Sequence, residues 1–84
     1  MTRERDTTEY AAMMGRMLRA YSKRVGDADP EDLAAMLEVY TQFGAAIQDA
    51  VTAQRARHGT SWAEIGRGAG ITRQAAQQRW GGQA

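Results

Sequence analysis

The stretch S-W-A-E-I-G-R-G-A-G-I-T-R-Q-A-A-Q-Q-R-W, residues 61–80, decides the fold. Ser61 and Glu64 have the spacing of a capping box, in which the serine hydroxyl accepts from the glutamate N–H and the glutamate carboxylate accepts from the serine N–H. This spacing predicts a short helix that begins at Trp62 and ends at about residue 67 or 68.

The second half of the stretch predicts a tight turn and another short helix. Gly70 permits a left-handed backbone, and Thr72 is a suitable N-cap for a helix over 73–80. Gly66 supplies a small residue where the two helix backbones approach each other. Trp62 and Trp80 are expected in the core rather than stacked on bases. The other residues expected on the inner faces are Ile65, Ala69, Ile71 and Ala76.

These residues resemble the helix-turn-helix of phage repressors and of the promoter-reading domain of sigma factors. The motif W-A-E-I-G followed by G-I-T-R-Q-A-A is especially similar to short regulators of high-GC actinobacteria. The resemblance implies a recognition helix at about 72–80 whose N-terminal half enters the major groove of duplex DNA. The base-reading candidates are then the long polar side chains of its outward face, whose hydrogen-bonding groups suit guanine and adenine edges: Arg73, Gln74, Gln77 and Gln78.

A second group of side chains suits the DNA backbone. Hydroxyl side chains at helix N-termini are placed for phosphate oxygens, and arginines can add charge-assisted contacts. We therefore expect phosphate contacts from Thr60, Ser61, Arg67, Thr72, Arg79 and Arg57. Arg57, together with the neighbouring Arg55 and His58, could equally stabilise the end of the preceding helix, and the sequence leaves this open.

Two helices are predicted upstream. Asp6 and Glu9 form a capping-box pattern that predicts an amphipathic helix over about 7–25. Asp29 as N-cap, with Pro30 at the first helical position, predicts a longer helix that continues to about residue 58, where Gly59 stops it.

The apolar positions of these upstream helices exceed what one short chain needs for its own core. A single recognition unit reads only a few base pairs, and such units commonly pair on half-sites one helical turn apart. We therefore expect a homodimer on an inverted repeat. The predicted interface consists of Tyr10, Met14, Met17, Leu33, Leu37, Tyr40, Phe43 and Ile47.

Composition excludes several classes of protein. The chain has 84 residues, no cysteine and one histidine, so a disulfide framework and a cysteine or histidine zinc site are excluded. We expect no cofactor, no metal and no small-molecule ligand. The sequence also shows no paired carboxylates near the histidine and no phosphate-binding glycine loop after a strand, so an enzyme is not expected.

Charge is distributed unevenly. Residues 1–52 carry six basic and nine acidic side chains, a net charge of −3, whereas residues 53–84 carry five basic and one acidic, a net charge of +4. A polyanion should prefer the C-terminal part. No apolar run is long enough to span a bilayer, so we expect a cytoplasmic, nucleoid-associated protein without a membrane partner.

The sequence thus predicts an all-α fold. A helical dimerisation region, residues 1–58, precedes a helix-turn-helix region, residues 59–84, within one compact domain. The expected function is sequence-specific binding of double-stranded DNA by a transcriptional regulator, a repressor since no sensing domain is evident. Two alternatives remain: a nucleoid-associated or plasmid-partition protein, and an interaction module that acts on the transcription machinery.

Overall fold

The computed structural model describes residues 3–82 and the side chains of residues 6–82. Within them the fold is all-α, as predicted, with four helices in the order α1 (Arg3–Gly26), α2 (Asp32–His58), α3 (Trp62–Ala69) and α4 (Arg73–Trp80). None of these helices is long and apolar enough to cross a membrane. The outermost residues of the two predicted regions, 1–2 and 83–84, lie outside the described part of the chain.

Helix α1 begins earlier than the sequence pattern predicts. It is already helical at Arg3, so the expected start near residue 7 is wrong. Asp6 and Glu9 lie inside the helix instead of at its N-cap. Arginine and glutamate, which occupy positions 3–5, have good helix propensity, so the capping pattern does not stop the helix from extending toward the N-terminus.

Helix α2 begins close to the predicted cap. Its regular part starts at Asp32, but the turn before it is already closed, since the Asp32 N–H donates to the Asp29 carbonyl at 2.9 Å. The Asp29 N–H in turn donates to the Asp32 carboxylate at 3.3 Å. The helix ends at His58 as predicted, and Gly59 follows in the left-handed region with φ of 63°.

The chain divides into two compact units, Met1–Val39 and Tyr40–Ala84, with the boundary inside α2. In the first unit no described side chain is buried, and the best covered apolar residues are only half-buried: Tyr21, Val25, Met36 and Val39.

The second unit has a small closed core. It consists of Val51 of α2, Ile65 of α3 and Ala76 of α4, with relative exposures of 8%, 6% and 0%. Three further apolar side chains pack against it, namely Trp62, Ile71 and Trp80. Their packing confirms the expected core role of both tryptophans. The C-terminal half of α2 therefore supplies the third wall of the core formed with α3 and α4.

Candidate nucleic-acid interface

The start of α3 is fixed by the predicted capping box. Glu64 N–H donates to Ser61 Oγ at 3.1 Å, and Ser61 N–H donates to Glu64 Oε1 at 2.9 Å. The Ser61 backbone N–H first, then the Ser61 side chain and the charge of Arg67, hold the pKa of Glu64 below its ordinary value of 4.5. The carboxylate therefore stays ionised at neutral pH, where it interacts favourably with the helix dipole.

The turn after α3 is a Schellman motif, which orients the chain toward α4. Gly70 is left-handed with φ of 76°, and its N–H donates to the Arg67 carbonyl at 3.3 Å. The Ile71 N–H donates to the Gly66 carbonyl at 2.8 Å. Ile71 and Ile65 belong to the same apolar cluster, which is the hydrophobic contact that accompanies this motif.

Gly66 is buried where α3 approaches the start of α4. A Cβ at this position would lie 2.8 Å from the Ile71 carbonyl oxygen and 2.9 Å from the Thr72 carbonyl oxygen. Real Cβ atoms do not approach backbone this closely, so the spacing of α3 from the turn depends on glycine. The predicted need for a small residue here is confirmed.

Helix α4 begins at its predicted cap, where the Ala75 N–H donates to Thr72 Oγ1 at 3.0 Å. Ala76 is buried and Ala75 is half-buried. At about 100° per residue, Gln74 and Gln78 lie on the side of α4 opposite Ala76, whereas Arg73 lies about 60° from it. All four predicted base-reading residues are exposed: Arg73, Gln74, Gln77 and Gln78.

The four base-reading candidates divide between two open grooves. The three glutamines line one groove together with Gly81 and Gly82. Arg73 lines the other, with Arg55 and the residues of the segment that leads into α3: Gly59, Thr60, Ser61, Trp62 and Ala63. Arg73 thus shares a groove with two of the predicted phosphate contacts rather than with the glutamines.

The predicted phosphate-contacting residues differ in whether their side chains already make contacts within the chain. The Thr60 hydroxyl donates to the Gln54 carbonyl at 3.1 Å, and the hydroxyl oxygens of Ser61 and Thr72 accept the cap hydrogen bonds described above. Arg79 lies with its guanidinium carbon 5.6 Å from the centre of the Trp80 ring. The side chains of Arg57 and Arg67 are exposed on the last turns of α2 and α3.

Arg55 is one of three residues, with Arg57 and His58, whose role the sequence leaves open, and the structure places it in the groove with Arg73. Its guanidinium carbon lies 4.2 Å from the centre of the Trp62 ring, and its Nη1 donates to the Thr60 carbonyl at 3.0 Å. These contacts connect the end of α2 to the start of α3. No local pattern indicates them, because they depend on the chain reversal at Gly59.

A second tertiary contact fixes the far end of α4. Gln48 Nε2 donates to the Trp80 carbonyl at 2.9 Å, which satisfies one of the free carbonyls at the helix end. The sequence pattern did not indicate this contact either. One predicted inner-face residue, Ala69, is exposed. That expectation was wrong: α3 contributes Ile65 and Trp62 to the apolar cluster, and Ala69, its last residue, lies outside it.

All eight predicted interface residues are more than a third exposed in the single chain. They lie on α1 and on the first 16 residues of α2. Their exposure leaves them accessible to a partner.

Comparison of the chain with protein-family models, with curated proteins and with solved structures finds no match. The functional proposal therefore rests on the geometry of α3, α4 and the segment that precedes them.

Proposed function

We propose that the protein is a sequence-specific double-stranded DNA-binding regulator, with α3 and α4 as a helix-turn-helix and α4 as the recognition helix. The observation that supports this most strongly is the two-sided character of α4. The helix contributes Ala76, the most completely buried residue of the core, and it also exposes an arginine and three glutamines.

Chemistry supports major-groove reading by these side chains. Arginine donates two hydrogen bonds to guanine O6 and N7, and glutamine pairs with adenine N6 and N7. A helix fits the width of the major groove, and the three glutamines share one open groove from which their amides can meet base edges. The local charge of +4 over residues 53–84 attracts the duplex.

The phosphate contacts proposed for this complex come from the ends of α2 and α3 and from the segment between them. Arg67 and Arg57 provide exposed guanidinium groups, and Thr60 and Ser61 line the groove that precedes α3. Arg55 orients this segment through its hydrogen bond to Thr60 and its stacking on Trp62. In this arrangement α4 is positioned in the groove by contacts that carry no sequence information.

The protein acts in this proposal as a homodimer on an inverted repeat, and repression follows from occupancy of a promoter. Selection of bound fragments from random or genomic DNA, followed by footprinting, tests it. A discrete protected site with two related half-sites supports the regulator. Extended protected tracts favour a nucleoid-associated or partition protein, and failure to retard any duplex at low salt favours a protein-interaction module.

A further inference from the structure

The first unit exposes an apolar face on α1. None of the side chains described for residues 6–39 is buried, and five large apolar side chains of α1 are more than a third exposed: Tyr10, Met13, Met14, Met17 and Leu18. An aromatic side chain alone presents roughly 150–250 Å² when fully exposed, so this face amounts to several hundred Å². A contiguous patch of that size on a small unit indicates an interaction surface.

From Tyr10 to Tyr21 the large apolar residues of α1 have the same spacing when it is traced in either direction. Four positions, 10, 14, 17 and 21, alternate steps of four and three residues, as in the seam of a coiled coil. Each large apolar residue between positions 10 and 21 has a counterpart at equal distance from the midpoint between residues 15 and 16, while the mirror position of Val25 is Asp6. These mirror pairs are Tyr10 with Tyr21, Met13 with Leu18, and Met14 with Met17.

Such a pattern is self-complementary in one orientation. When two copies of a helix pack antiparallel, each residue lies at the axial level of its mirror position in the other copy, and residues near the centre of the seam face each other there. Tyr10 then meets Tyr21 of the second copy, and Met14 meets Met17. Tyr21 is half-buried in the single chain, so part of its ring remains open to this contact.

Charge selects the same orientation. At about 100° per residue, Asp6 and Arg24 lie on the same side of the seam, each about 50° from its centre. The mirror position of Arg24 is residue 7, so Arg24 of the second copy lies about one residue from Asp6 along the helix axis. A two-fold antiparallel arrangement forms this ion pair twice, whereas a parallel arrangement leaves Asp6 and Arg24 of the two copies about 27 Å apart along the helix axis and forms neither.

The remaining basic residues near the middle of α1 do not oppose this pairing. Arg16 and Arg19 lie on the side of the helix that faces away from the seam, by the same angular spacing. Like charges therefore do not meet at the centre of the contact.

We propose that α1 is the docking surface for α1 of a second copy of this chain, in antiparallel orientation about a two-fold axis between residues 15 and 16. The inference rests on the homodimer of the proposed function and gives its geometry. Its experiment contains no DNA, so its failure is distinguishable from a failure of DNA recognition.

Site-directed cross-linking tests the orientation, because the chain has no cysteine of its own. The full-length variants Tyr10→Cys and Tyr21→Cys are mixed under reducing conditions and then oxidised. Antiparallel pairing places these two positions opposite each other, while two copies of position 10 are about 16 Å apart along the axis, too far for a disulfide. The expected result is a disulfide in the mixture and none in either variant alone.

Two results overturn the proposal. A disulfide in the Tyr10→Cys sample alone indicates parallel pairing, and the absence of any disulfide in the mixture excludes this contact. Circular dichroism of each variant checks that its helix content is retained.

A charge exchange provides an independent readout by sedimentation equilibrium. Asp6→Arg and Arg24→Asp should each raise the dimer dissociation constant about tenfold, since two ion pairs become two repulsions. The double variant should return to within about threefold of the wild type. A wild-type chain that sediments as a monomer, or a double variant weakened by the product of the single effects, contradicts the pairing.

Discussion

Replacement of Gly66 by alanine should destabilise the second unit specifically. The added Cβ would stand 2.8 Å and 2.9 Å from the carbonyl oxygens of Ile71 and Thr72 and 3.0 Å from the Thr72 carbonyl carbon. All three are backbone atoms of the turn into α4, so relief requires the turn itself to shift. Overpacking of this kind costs about 1–3 kcal/mol.

Alanine also brings a gain that must be subtracted. In a helix interior it is more favourable than glycine by about 0.5–1 kcal/mol. We therefore expect Gly66→Ala to lower the free energy of unfolding by about 0.5–2 kcal/mol, the difference between this cost and this gain. Gly68 offers a matched control, since it lies in the same helix and a Cβ there meets nothing within 4 Å. Gly68→Ala should raise the free energy of unfolding by about 0.5–1 kcal/mol.

Urea titration followed by tryptophan fluorescence measures both variants. The chain has two tryptophans, Trp62 and Trp80, and both pack against the core of the second unit, so the signal reports on that unit. Opposite signs for the two substitutions are expected. Equal stability of Gly66→Ala and Gly68→Ala would refute the close approach of α3 to the turn.

Three further predictions concern the same unit. Thr72→Ala should cost about 1 kcal/mol of unfolding free energy in the same titration, because the Ala75 N–H loses its cap, whereas Thr72→Ser should cost little; equal losses would exclude the capping role. Because the pKa of Glu64 is lowered in the folded chain, its stabilising effect is present above its unfolded pKa and is lost as the pH falls through the lower folded value. The stability advantage of the wild type over Glu64→Gln should therefore shrink on acidification below about pH 4.5, and a constant difference across this range would contradict the assignment. Arg67→Ala should weaken binding to all duplex sequences and reduce the salt slope by about one unit in a titration of affinity against salt, and an unchanged slope would remove Arg67 from the phosphate contacts.

Local signals in the sequence predict the second unit well. The capping box of Ser61 and Glu64, the left-handed Gly70 and the Thr72 cap each depend on residues within one turn of each other. Contacts between residues so close in sequence can be predicted from their spacing alone, so the bounds of α4 and the start of α3 follow from the sequence. The need for a small residue at Gly66 could also be predicted from the sequence, although it concerns the contact of α3 with the turn into α4.

Contacts between distant segments could not be predicted in the same way. The hydrogen bond from Gln48 to the Trp80 carbonyl joins residues 32 positions apart, and the stacking of Arg55 on Trp62 requires the chain reversal at Gly59. Ala69 was wrongly expected inside, because periodicity alone does not show that a third helix covers only part of α3. The early start of α1 shows that local patterns can also mislead, since a capping pattern inside good helix-forming sequence need not mark the end of the helix.

The central claim is that exposed side chains of α4 read base pairs. The most direct test compares the affinity of Arg73→Ala with that of the wild type, for a selected site and for random duplex DNA, at one salt concentration. A base contact predicts a loss of about 1–3 kcal/mol at the selected site and nearly unchanged binding to random DNA. An equal loss on both would instead make Arg73 a phosphate contact, in keeping with the groove it shares with Thr60 and Ser61, and would contradict its role in reading sequence.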